Sequence, residues 1–197
     1  MTHTVVIGNA TAPQIIGWLW GIFALYWFVA AFRQNRVQKR EPASERFVHI
    51  LFMFGGFALL VSPDPRFGVL HQRFLPRSPA LDFAAILLAA VGVGFAIWAR
   101  ARLGKYWSAQ VTIRQEHRLI RTGPYKYIRH PIYTGMLLAL LGTVLAIGEY
   151  RALLGLALIL LGFIKKAHKE ESFLQAQFGT EFDEHKRQTG FFFPRFS

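Results

Sequence analysis

The chain has 197 residues and no cysteine; 53% of the residues are apolar, 17% are charged, and the mean hydropathy is +0.28. This composition excludes a disordered chain, a collagen and a disulfide scaffold, and it bounds the protein to one domain or two small ones. A net charge of +12 would suggest nucleic acid in a soluble chain. Here the apolar residues fall in long blocks between basic segments, the pattern of a multispanning protein whose loops meet membrane lipids, so no nucleic-acid partner is expected.

A spanning helix needs about 20 apolar residues to cross about 30 Å of hydrocarbon. Pro13 to Phe32 supplies this without a charge. It reads as a retained span, because the first eleven residues lack the Lys or Arg of a signal-peptide leader. Phe47 to Val61, apolar except for His49, reads as a second span or the tilted half of one. Ala80 to Ala99 is a third, closed by Arg100 and Arg102. Pro131 to Ile147 and Ala152 to Ile164 are the fourth and fifth; with only Gly148, Glu149, Tyr150 and Arg151 between them, they are expected to pair as a tight antiparallel hairpin. Both are short for full spans, so tilt is expected. Gly17 and Gly21 form a GxxxG expected to pack within the bundle, and Gly92 and Gly94 read as packing glycines.

The fold class is therefore all-α: a polytopic membrane helix bundle of five transmembrane helices, with a C-terminal helical hairpin and a cytoplasmic C-terminal helix. Residues 1–104 would carry three spans, and 105–197 the chemistry and the hairpin. Alternating the loops puts 19 Lys and Arg on one face and 4 on the other. By the positive-inside rule the N-terminus is outside and the C-terminus cytoplasmic. With no organelle-directed leader, a prokaryotic inner membrane is the expected location.

This topology brings two polar segments to one face. Pro131 suits the first position of the fourth helix, where its missing N–H costs nothing. Arg129 and His130 then sit at a helix mouth that favours an anion, and Tyr133 lies four and three residues on from them. Across the hairpin stand Glu170 and Glu171. Adjacent helical residues point about 100° apart, so one of the two is expected to face the mouth. A carboxylate opposite Arg129 would fix its guanidinium or bind an ammonium. The plainer reading is headgroup anchoring by Arg, His and Tyr. There is no HExxH and no P-loop, and no histidine spacing supports a metal.

Arg129-His130-Pro131-Ile132-Tyr133-Thr134-Gly135 and the pair Glu170-Glu171 resemble the RHPxYxG motif and paired acid of the isoprenylcysteine carboxyl methyltransferase family and its relatives among membrane phospholipid methyltransferases. The lead-in from His117 to Tyr125 and the tail from Phe178 to Lys186 are similar too, so the likeness spans residues 105–194. It implies S-adenosylmethionine-dependent methyl transfer by an all-helical membrane enzyme, with the cofactor between the final hairpin and the C-terminal segment. Carried over, His117, Leu119 and Ile120 would line adenine and ribose. Tyr125, His130, Tyr133 and Glu170 would contact the cofactor's polar groups, aided by backbone near Gly123. Arg129 would orient the methyl acceptor, held by Glu171 or Glu170. The acceptor would be a lipophilic or small molecule, such as an isoprenylcysteine-like carboxylate. Sterol reductases share an RHPxY segment that binds NADPH, but this chain has Thr134-Gly135-Met136 in place of their Gly-Glu continuation. A non-enzymatic membrane protein is the remaining alternative.

The charge asymmetry makes a topological prediction. A reporter fused to the C-terminus is expected to be protected from external protease in intact cells; cleavage there would reverse the assigned orientation.

Overall fold

A computed structural model describes residues 10–32, 43–62, 65–104 and 119–196. Among the described residues six α-helices follow in order: α1 (Ala12–Ala31), α2 (Ala43–Val61), α3 (Pro79–Leu103), α4 (Pro131–Ile147), α5 (Tyr150–Phe178) and α6 (Thr180–Gln188). Helix starts are written locally. The Thr11 N–H donates to Gln14 Oε1 at 2.8 Å ahead of Pro13, and Pro79 and Pro131 each stand in a first turn where an N–H has no partner to lose. Gly148 stops α4 in the left-handed conformation at φ 64°, and Glu149 starts α5 immediately after it.

α1 and α3 are long and apolar enough to cross a membrane, while Phe47–Val61 and Pro131–Ile147 are shorter apolar helices. The fifth apolar block belongs to a much longer helix. α5 runs 29 residues, about 44 Å, and carries the acid pair as a polar extension beyond the apolar stretch that ends at Ile164.

The last two helices touch, but neither is the other's largest neighbour. α4 packs most extensively on α3, and α5 on α2, whereas the contact between α4 and α5 is smaller. Close approach decides this. A Cβ added to Gly92 would lie 2.6 Å from the Gly135 carbonyl oxygen, and one on Gly142 would lie 2.6 Å from that of Ala85. On the other seam Gly56 and Gly155 face each other, each with the other's carbonyl oxygen 2.7 Å from an added Cβ. Without a hydrophobic driving force in lipid, such small-residue seams are where helices gain van der Waals contact. Gly92 thus packs as its sequence suggested, whereas Gly94, read the same way, has nothing within 4 Å of an added Cβ. Gly17 and Gly21 do not pack so either: nothing lies within 4 Å of either, because α1 turns its opposite face, with Ile16 and Phe23, toward the bundle.

The end of the bundle away from Arg129 is clasped. Arg151 is buried, donating from Nε to Glu149 at 2.6 Å and from Nη1 to the Leu59 and Leu60 carbonyls at 2.6 and 2.8 Å. His71 approaches Glu149 at 3.1 Å, and Arg73 donates to the Ile147 carbonyl at 2.6 Å. The last carbonyls of α2 and α4 are thereby satisfied by cations at helix C-termini.

Gly142→Val is expected to destabilise the protein by about 1–3 kcal/mol through overpacking, while Gly17→Ala leaves stability nearly unchanged. Thermal unfolding in detergent checks both; equal effects would contradict the placement of the seam.

Candidate active site

Residues 123–130 approach α4 through a short 3-10 turn, Gly123–Lys126, and then pair with the C-terminal tail. Gly190 N–H donates to the Tyr127 carbonyl at 3.0 Å, Arg129 N–H to that of Gly190 at 2.8 Å, and His130 N–H to that of Phe191 at 3.2 Å. This pairing presents the side chains of Arg129 and His130 to α5.

His130 is buried between the two acids. Its Nε2 lies 3.3 Å from Glu171 Oε1 and its Nδ1 3.5 Å from Glu170 Oε2. Arg129 donates from Nε to Glu171 Oε1 at 2.5 Å, and Tyr133 from its hydroxyl to Glu170 Oε1 at 2.7 Å. Both acids therefore face the mouth, where one was expected. The 100° between neighbouring helical positions is bridged because the imidazole presents two nitrogens in different directions, one to each carboxylate. Rings close around it: Phe191 meets His130 edge-on at 5.0 Å, and Tyr133 stacks between His130 and Phe163.

Electrostatics follow from this burial. Desolvation favours neutral forms, but it is outweighed here by mutual pairing. Burial alone would lower the His130 imidazole; hydrogen bonds to Glu170 and Glu171, with their charges, raise it instead. Burial likewise opposes ionisation of Glu171, yet hydrogen bonds from His130 and Arg129 bring its pKa down to about 2. Glu170 is lowered against its desolvation by His130, Lys166 and Tyr133. Tyr125 is pushed well up, first by burial and then by the charge of Glu170, with Arg100 acting in the opposite direction. His185 is lowered to about 4 by burial and by the cations Arg121 and Arg129.

Of the residues singled out in the sequence, Arg129, His130, Tyr133, Glu170 and Glu171 meet directly. Tyr125 is buried with Ala99 and Ile132, and Ile120 packs on that cluster. Leu119 is half-buried on the same approach. Gly123 holds φ 61°, with the Arg102 side chain nearest to where a Cβ would stand. His117 lies outside the described residues. Arg129 is also more committed than expected, since its Nη1 donates to the Thr189 and Lys186 carbonyls at 2.5 and 3.3 Å.

Residues 85–176 match the model of the isoprenylcysteine carboxyl methyltransferase (ICMT) family. Over these residues the chain resembles that family. The chain is 31% identical over 75 residues to the protein-S-isoprenylcysteine O-methyltransferase of Schizosaccharomyces pombe, a match covering 38% of this chain and 32% of that one. It is 38% identical over 101 residues to the cobalt-zinc-cadmium resistance protein CzcN of Cupriavidus metallidurans, covering 49% and 45%. The chain thus spans less than half the length of these two relatives. The solved structure of a eukaryotic intramembrane Ras methyltransferase ICMT superposes with a TM-score of 0.58 at 18% identity, over 95% of this chain and 69% of that one. The all-helical architecture is therefore that of the ICMT-like membrane fold.

Sequence reasoning missed the tail's part in this site. Thr189 supplies the carbonyl that fixes Arg129, and its own hydroxyl donates to the His185 carbonyl at 2.5 Å. Thr134 donates to the Phe192 carbonyl at 2.7 Å. The available signal was the run Thr189-Gly190-Phe191-Phe192-Phe193, an aromatic cluster behind a glycine at the end of a polar helix.

These shifts set a pH window. The pKa of Glu171 falls on folding, so its stabilisation is present above about 4.3 and is lost as pH drops toward its folded value. The pKa of His130 rises, so its stabilisation is complete below about 6.5 and is lost as pH climbs through the raised value. Thermal stability in detergent is expected to be highest between these limits. Glu171→Gln, which leaves Arg129 and His130 short of one buried counter-charge, is expected to cost about 3–5 kcal/mol and to flatten the acid limb. An acid limb identical to that of the parent would refute the pairing.

Proposed function

We propose that this chain is an integral membrane methyltransferase that uses S-adenosylmethionine to methylate a carboxylate, isoprenylcysteine-like or on another lipophilic acceptor. The observation that carries the reading is the buried assembly of Arg129, His130, Tyr133, Glu170 and Glu171 at the mouth of α4, in a chain that resembles the ICMT family. Residues 1–104 serve as the scaffold of spans and 105–197 as the cofactor-binding region. The five apolar helices cross a prokaryotic inner membrane, with the site on the cytoplasmic side, where this cofactor is made.

The donor set fits the cofactor. Glu170, partly exposed, offers an anion to an ammonium group, and the imidazole of His130 holds that carboxylate in place. Ile120, Leu119 and Tyr125 give an apolar and aromatic wall suited to adenine and ribose, and Gly123 adds backbone groups; His117 is assigned to the same role by the family resemblance alone. When bound, S-adenosylmethionine supplies an electrophilic methyl group on a sulfonium. The protein's own work is alignment and exclusion of water. Arg129 orients the acceptor carboxylate with the guanidinium face left by Glu171, and Glu171 keeps that guanidinium in place. A carboxylate acceptor is already ionised at neutral pH, so no residue needs to act as base. This agrees with His130 having both nitrogens directed at carboxylates.

An NADPH reductase is disfavoured, because the family model and the S. pombe relative both carry the methyltransferase description. Calorimetric titration of the detergent-purified protein is expected to show saturable one-site binding of S-adenosylmethionine and none of NADPH; the reverse would replace this reading with the reductase. Arg129→Ala is expected to abolish turnover while leaving cofactor affinity within about tenfold, and Glu170→Ala to weaken cofactor binding by more than about tenfold, since a charge-assisted contact contributes roughly 1.5–3 kcal/mol. Full activity in both variants would place the site elsewhere.

A further inference from the structure

The tail that completes the site also builds a second surface beside it. Phe191 and Phe192 turn inward, against His130 and Tyr133. Phe193 and Phe196 turn outward and are 82% and 78% exposed. Gly190 permits the reversal, because a Cβ there would overlap the Phe193 carbonyl oxygen. Tyr127, itself 38% exposed, holds the turn: its carbonyl accepts from the N–H of Gly190 at 3.0 Å and of Arg195 at 3.1 Å, and its ring lies 5.4 Å from that of Phe196. The Lys126 ammonium stands 5.5 Å from the Tyr127 ring centroid, and Arg195 is exposed between the two phenylalanines.

Lys126, Tyr127, Phe193, Arg195 and Phe196 thus make one surface of aromatic rings carrying two cations. Neither 119–130 nor 189–196 contains an acid. Its depth is fixed by the site: Thr134, in the first turn of α4, donates to the carbonyl of Phe192, and His130 N–H donates to that of Phe191. The surface therefore stands level with the polar end of an apolar helix, where aromatic rings and cations meet headgroups.

We propose that this surface docks on the anionic headgroup layer of the membrane the helices occupy, with Phe193 and Phe196 entering the acyl boundary and Lys126 and Arg195 pairing with lipid phosphates. The charge favours this occupant over a protein partner: two cations and no acid complement an anionic leaflet, which attracts each basic residue near it. The docking is independent of methyl transfer. It seats the mouth against one leaflet, because Tyr127 and Gly190 are joined through the backbone to Arg129.

The absence of native cysteine makes the test direct. Phe193→Cys and Phe196→Cys each take one nitroxide label in the full chain, with Gln188→Cys on the exposed face of α6 as a water-facing control. In phosphatidylcholine vesicles containing phosphatidylglycerol, labels at 193 and 196 are expected to collide more with oxygen than with a nickel chelate, and the label at 188 the reverse. That oxygen excess is expected to shrink several-fold in phosphatidylcholine alone, and in Lys126→Glu/Arg195→Glu with the anionic lipid restored. A chelate excess at either phenylalanine position overturns the proposal and points to water or a protein partner. An oxygen excess indifferent to both lipid charge and charge reversal overturns it as well, leaving simple apolar contact.

Discussion

One imidazole holds three parts of the chain in register. His130 belongs to the start of α4, its two carboxylate partners to α5, and the rings that close over it to the tail. None of these charges is cheap to bury alone, and the group persists because each has a partner: Arg129 and His130 on Glu171, His130 and Tyr133 on Glu170. Taking away one member does not remove one contact's worth of energy. It leaves the remaining charges desolvated and unmatched, so the network behaves as a unit. The same unit fixes side-chain geometry to a degree that isolated surface groups cannot, which suits the alignment proposed for this site.

The helices below supply the rigidity that this network needs. Lipid tails are as apolar as leucine, so the helices cannot be driven together by excluding water from between them. Gly92, Gly135 and Gly142 between α3 and α4, and Gly56 and Gly155 between α2 and α5, bring backbones close enough for dispersion to serve instead. The seams set where α4 and α5 stand, and each helix then carries its half of the polar network to the same end.

Much of this was legible in the sequence, for reasons that are local. Pro131 marks the start of α4, and the RHPxYxG spacing with the paired acids marks the residues that meet there. Legibility failed where the answer depended on a neighbour distant along the chain. The short joint at Gly148 led the residues before α4 to be expected beside those at the end of α5, where they do meet, but it could not show that the larger glycine seams run to α3 and α2. The GxxxG of Gly17 and Gly21 has the spacing of a packing motif and faces nothing within 4 Å. The 100° rule allowed one acid at the mouth; it could not foresee a bidentate imidazole between two. The tail was silent because a backbone pairing such as that of Ile128 with Gly190 leaves almost no trace in side-chain pattern.

α5 is a ruler. It runs unbroken from the Arg151 clasp at one end of the bundle to Glu171 at the other, 20 positions or roughly 30 Å, which is the thickness of a hydrocarbon core. Inserting or deleting one residue within that interval would turn both carboxylates about 100° about the helix axis and shift them 1.5 Å along it, breaking their hold on His130 while leaving every apolar contact type intact. The distance between clasp and acids is therefore a quantised property of the chain. Adaptation to a thicker or thinner bilayer has to be taken up by helix tilt or in the connectors, never within this one segment.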